Sequence, residues 1–234
     1  MEKVLKILVA TKSCQRDLKA GCHTAIRETW GALLPPDAEL RFFVGGEKAP
    51  ENLAADEVFT PSDDTYWVLW PKVKAIARYS VEHGYDFTFC CDTDTYVVPS
   101  KWRASGFEAY DFCGRMAPLN QEMGKPYPAV HFDNGEVADP FYAYMSGGVG
   151  YFFSRKAAPY IADDTATHRK SEDVAMGQVC GPLIQKKILT GAHLPLLEDK
   201  GSFHLGCGWY GGGHKDNRLD PAAAMRKKHS EMTR

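Results

Sequence analysis

"FTFCCDTDTYVV", residues 87–98, runs from apolar and thiol side chains into Asp-Thr-Asp and then turns apolar again. Residues 86–94 read as a buried strand with two carboxylates at its end. If the strand continues, Asp92 and Asp94 share one face, because side chains alternate with period two. Two close, partly buried carboxylates repel each other and need a proton or a cation to coexist. Mg²⁺ or Mn²⁺ meets that need, and such ions join one or two carboxylates to substrate phosphates. On its own the D-x-D pattern also fits two turn residues capping the next helix.

The strand falls inside an alternating pattern. Residues 3–11, "KVLKILVAT", read as a first buried strand, and 22–31, "CHTAIRETWG", as a helix stopped by Gly31. Residues 38–46 and 56–61 read as two more strands. Residues 70–84 read as a helix with Pro71 in its first turn and Gly84 at its end. This β-α-β order predicts an α/β fold with a central, mostly parallel mixed sheet flanked by helices. Residues 111–116 and 144–154 read as later strands. Between them the Pro- and Gly-rich stretch 117–140 is long enough to predict a binding loop. Residues 154–164 and 171–187 are predicted helices. So is the tail 220–232, with Asp220 as N-cap and Pro221 at the first helical position.

The chain has 234 residues, which suits one domain over 1–234 with halves at about 1–100 and 101–234. A net charge of −2 gives no general pull toward nucleic acid or anionic membrane. No run of 18 apolar residues spans a bilayer and no signal peptide is read, so a cytoplasmic location is expected. Seven cysteines without a C-x-x-C pair argue against a zinc cluster or a complete disulfide framework.

Five blocks then carry a resemblance: "TAIRETWG" (24–31), "DTYWVLWPKV" (64–73), "DTDTYV" (92–97), "YMSGGVGYFFS" (144–154) and "SEDVAMG" (171–177). In this order they resemble the successive motifs of the β-1,3-galactosyltransferase and Fringe-like enzymes of glycosyltransferase family 31. The likeness extends over about residues 5–180. It implies a GT-A fold, a single Rossmann-like domain. It also implies inverting transfer of a hexose or N-acetylhexosamine from a UDP-sugar to an acceptor hydroxyl, with Mn²⁺ (or Mg²⁺).

Residue by residue, the resemblance gives Asp94 as metal ligand and Asp92 as a residue near the ribose or metal. Thr93 replaces the family's middle acid. Asp173 matches the catalytic base, with Glu172 beside it. Arg27 and Lys72 match donor-binding positions, and Thr11 and Lys12 follow the first strand where base and ribose are expected. Ser146, Gly147 and Gly148 match the cleft between donor and acceptor. A third metal ligand is expected from His204, with His214 and His193 as alternatives, and Trp209 is expected to face a sugar ring. The acceptor is left open among a saccharide, a protein and a modified nucleic-acid base. The competing readings are a sugar-1-phosphate nucleotidyltransferase and a non-catalytic nucleotide-sugar-binding module. The first needs a Gly-rich loop after strand one, whereas "ATKSCQRD" (10–17) has no glycine.

Overall fold

The computed structural model describes residues 4–63, 69–133, 135–166, 171–195, 202–205 and 220–233, with backbone alone for 202–204. A seven-stranded mixed sheet forms its centre. In chain order its strands are β1 (Ile7–Ser13), β2 (Ala38–Gly46), β3 (Glu57–Pro61), β4 (Phe87–Asp92), β6 (Phe112–Gly114), β11 (Tyr151–Ser154) and β12 (Gly191–His193). Across the sheet they lie in the order β12-β6-β11-β4-β1-β2-β3. β1 pairs in parallel with both β2 and β4, and β2 with β3. β11 runs against both its neighbours, and β12 is parallel to β6.

Every residue of β1 is buried, as expected for a central parallel strand covered on both faces. Its side chains sort by alternation. Leu8 and Ala10 join Phe43, Cys90 and Tyr151 beneath Trp70, Val73 and Ile76 of α3 (Trp70–Glu82) and Ala175 and Met176 of α6 (Glu172–Gln185). Ile7 and Val9 face the opposite way, toward Ala25 and Ile26 of α2 (Cys22–Glu28) and Trp102 of α4 (Pro99–Ser105). Helices thus cover both faces. A knot of rings fixes the second face: Phe107 stacks on Phe152 at 4.0 Å, and Phe89 lies 4.6 Å from Trp102. Among the described residues, no helix is long and apolar enough to cross a membrane.

Three boundaries differ from expectation. Helix α1 (Gln15–Lys19) precedes α2, where the sequence reads only polar connection. The stretch 117–140 is not a plain loop. Strand β7 (Met116–Ala117) leads into it, it holds the hairpin β8 (Val130–His131) with β9 (Val137–Ala138), and strand β10 (Tyr144–Met145) returns to pair with β7. Most consequential, the strand carrying the two carboxylates stops at Asp92. Thr93 and Asp94 form a turn, and β5 (Thr95–Val97) begins after it. The expectation that one uninterrupted strand places Asp92 and Asp94 on one face is therefore corrected.

At the same edge of the sheet, Gly150 leads into β11 with φ +94, a conformation that side chains disfavour. A Cβ there would also lie 2.9 Å from Cε2 of Phe89. Gly150→Ala is expected to destabilise the fold by about 2–3 kcal/mol, through positive φ and overpacking together. A urea unfolding midpoint would measure it, and an unchanged midpoint would refute this account.

Candidate functional site

Strand order reverses direction between β1 and β4, and open α/β sheets bind ligands beyond strand ends at such a point. Lys12 and Asp92 are register partners on these two adjacent strands, so their side chains leave the sheet on one face. Lys12 Nζ lies 3.0 Å from Asp92 Oδ1 and also contacts Glu172 Oε1, in the first turn of α6. The ammonium is buried, with the Tyr151 ring centroid 5.8 Å away. Burial alone would drive it toward the neutral amine. Asp92 and Glu172 more than offset that, and Lys12 is held well above its ordinary value.

One ammonium cannot neutralise two carboxylates, and the less solvated one is the more readily protonated. Burial pushes Glu172 up to about 7; Lys12 opposes the rise, and Asp173 and Asp92 add to it. Space for the Glu172 carboxylate exists because residue 147 is glycine. A Cβ at Gly147 would stand 2.9 Å from Glu172 Oε2. Asp173 is held differently: its Oδ1 accepts from Ser171 Oγ at 2.5 Å and from the Val174 N–H at 3.0 Å. Ser171 does occupy the N-cap position of α6, but its hydroxyl serves Asp173 and caps no helix N–H.

A second cluster lies around the turn. Asp94 is buried, and its carbonyl accepts the Leu205 N–H at 2.9 Å. Thr93 Oγ1 donates to Asp17 Oδ2 at 2.6 Å. Thr95, which the sequence reading missed, ties two motifs together. Its hydroxyl accepts from the Asp92 N–H at 3.2 Å and donates to the Gly148 carbonyl at 3.0 Å. Ser146 anchors the same glycine turn, donating its N–H to the Arg115 carbonyl at 2.8 Å. Strand β13 (Ser202–His204) pairs antiparallel with β5, and His204 stands opposite Thr95, one residue from Asp94. His193 lies on β12, and its Nδ1 accepts the Met116 N–H at 3.1 Å. His214 and Trp209 lie outside the described residues.

The remaining expected donor-binding residues have internal partners. Thr11 is buried, with Oγ1 4.0 Å from Cys91 Sγ. Lys72 is buried and its Nζ donates to the Ser13 carbonyl. Arg27 Nε and Nη2 donate to the two oxygens of Asp56 at 2.8 and 2.6 Å; Nη2 also reaches Glu57 at 2.7 Å. Arg27 thereby ends a relay that no local spacing reveals. Ser13 Oγ lies 2.6 Å from His23 Nε2, and His23 Nδ1 lies 2.7 Å from Glu57 Oε1.

Burial lowers the His23 pKa below its ordinary 6.5, with Glu57 opposing and Arg27 assisting. The folded state therefore binds the His23 proton less readily than the unfolded state does. This group's contribution to stability is intact above 6.5 and falls as pH drops below it. Thermal melts between pH 7 and 5 are expected to show a steeper acid-side loss for the wild type than for His23→Gln. Parallel curves would contradict the assignment.

No protein-family model matches the sequence, and no curated protein does. Among solved structures, the chain is similar to one described as the crystal structure of a glycosyltransferase involved in the glycosylation of the major capsid of PBCV-1. The TM-score is 0.43 at 8% identity, over 94% of this chain and 99% of that one. A likeness of that size leaves function to be argued from the residues themselves.

Proposed function

We propose that the chain is an inverting glycosyltransferase of GT-A type, moving a hexose or N-acetylhexosamine from a UDP-sugar to an acceptor hydroxyl. The observation that carries the reading is convergence at one sheet edge. Asp92 at the end of β4, Gly148 of the glycine turn and Glu172 in the first turn of α6 are joined by the contacts of Lys12 and Thr95, with Asp94 in the turn after β4 and Asp173 next to Glu172.

The donor set suits a hard divalent cation only in part. Among the described residues no three His, Cys, Asp or Glu side chains gather closely enough to hold one. Asp94 would supply the protein side, and one or two carboxylates with substrate phosphates are an ordinary Mg²⁺ environment; the backbone of His204, the second expected ligand, pairs with that of Thr95. A bound Mn²⁺ or Mg²⁺ would supply Lewis-acid stabilisation of the diphosphate leaving group.

The chain's own residues do the rest. Asp173 would take the proton from the acceptor oxygen, with Glu172 beside it as the second carboxylate. A carboxyl near 7, as Glu172 is, suits such work around neutral pH. Gly147 and Gly148 allow a ligand close approach to backbone. Lys12 holds Glu172 in place.

Incubation with a panel of UDP-sugars and Mn²⁺ tests the reading, with UDP release and product mass as readouts. Release from at least one donor, suppressed by EDTA, is expected. Intact donors with and without metal would refute it, and diphosphate formed from UTP and a sugar phosphate would point instead to nucleotidyl transfer.

A further inference from the structure

We propose that the Tyr144 hydroxyl holds the acceptor oxygen while Asp173 takes its proton, which makes Tyr144 a further catalytic residue. The proposal rests on the transferase reading and goes beyond it by giving the acceptor a second polar contact.

The backbone brings the two side chains to one place. Asp173, Gly177 and Gly181 recur at intervals of four and so lie on one face of α6. Residues 142–144 run along that face because it carries glycines. A Cβ at Gly177 would stand 2.9 Å from the Tyr144 Cβ and 3.1 Å from the Tyr142 carbonyl oxygen, and one at Gly181 would enter the Tyr142 ring. From there the Tyr144 ring turns toward the start of the helix. It packs on the cluster of Ala138, Phe141 and Val174, with the Phe141 ring edge-on at 6.0 Å, and Val174 directly follows Asp173.

The groups left open there suit an alcohol. Asp173 Oδ1 is occupied by Ser171 Oγ and the Val174 N–H, which fix the orientation of the carboxylate. Among the described residues, Asp173 Oδ2 and the Tyr144 hydroxyl make no hydrogen bond. Burial, with Asp173, Glu136 and Glu172, pushes the phenol up to about 12, so it stays protonated and able to donate. An acceptor hydroxyl is donor and acceptor at once, and it completes both groups. Its oxygen accepts from Tyr144 and attacks the anomeric carbon, and its proton passes to Asp173 Oδ2. The bond from that carbon to the diphosphate oxygen breaks, and its electron pair leaves with UDP. The charges that reach the phenol are all negative, which favours an uncharged alcohol over an anionic one.

UDP release from an accepted UDP-sugar with Mn²⁺, with and without a panel of uncharged p-nitrophenyl glycosides, tests the assignment. Tyr144→Phe removes one oxygen and keeps the ring. It is expected to lower kcat/KM for the preferred glycoside about tenfold or more, chiefly through a higher KM. Hydrolysis of the donor by water alone is expected to stay within about twofold of the wild type. Tyr142→Phe, on the same stretch, is expected to match the wild type in both. Transfer by Tyr144→Phe within about twofold of the wild type would overturn the proposal. So would an equal fall in hydrolysis and transfer, which marks a structural role. Donor turnover with every glycoside left unmodified would overturn it while leaving the donor chemistry intact, whereas intact donors in every arm would overturn both readings. Thermal melts establish that the two variants are folded.

Discussion

Asp94→Ala is expected to reduce UDP release on the order of 10³-fold while leaving the fold intact. The size follows from the work proposed for this carboxylate. Stabilising charge on a departing diphosphate is worth several kcal/mol, and each factor of ten in rate is about 1.4 kcal/mol. The side chain is small and sits in a turn beyond the last residue of β4, so its removal leaves the apolar core untouched. Thr93→Ala provides the contrast. It removes one hydrogen bond to Asp17 from the same turn and is expected to cost less than about tenfold. The check is UDP release at saturating Mn²⁺ for both variants, with melting curves alongside. If the two lose activity equally, the turn matters for its shape alone, and the role given to Asp94 fails.

Lys12→Met is expected to produce the largest loss of stability, about 3–5 kcal/mol. Removing one member of a buried ionic cluster leaves the others charged and without compensation. Methionine fills similar volume, so the loss is electrostatic and not a cavity effect. Two features identify the cause. The deficit should shrink when Glu172→Gln and Asp92→Asn are added, because no buried carboxylate then lacks its cation.

The deficit should also shrink on acidification. Glu172 already lies near 7 in the fold against an ordinary 4.5, so the folded state holds its proton more tightly than the unfolded chain does. Its contribution to stability therefore falls as pH rises between those values, opposite in sign to that of His23. Loss of Lys12 widens the window. Urea titrations at pH 5 and pH 8 measure the difference. A deficit that is independent of pH and not relieved by the neutralising changes would mean that Lys12 acts through packing.

The parts of this molecule visible in the sequence are those with strong local signals. The apolar run Ile7–Ala10 of β1, the Pro71-to-Gly84 span of α3 and the Asp220-Pro221 start of α7 (Pro221–Met232) each declare themselves locally. Asp220 caps as expected, accepting the Ala222 and Ala223 N–H groups at 2.9 and 3.3 Å. The break at Thr93 and Asp94 was not visible, because apolar residues flank it on both sides and imitate continuity. Nor was the hairpin within 117–140, whose strands are two residues long and too short to show a period.

The site divides along the same line. Asp92, Asp94 and the pair Glu172–Asp173 stand out as acids at element ends. Which of them share a cation depends on contacts spanning 80 and 160 positions in the chain. Arg27 shows the limit most clearly. Its motif implied a nucleotide contact, yet its guanidinium is taken by Asp56 and Glu57, about 30 residues downstream. No spacing within α2 carries that information.

The pairing of β13 with β5 bears on how the chain is made. A ribosome releases residues 92–97 long before 202–204, and domains acquire structure as they emerge. Until then β5 lacks its ladder partner, Asp94 lacks the amide of Leu205 on its carbonyl, and Tyr96 lacks the His229 ring, 3.0 Å from its hydroxyl. The acidic turn thus reaches its final shape among the last events of synthesis. Nascent chains stalled before residue 200 would lack the finished turn.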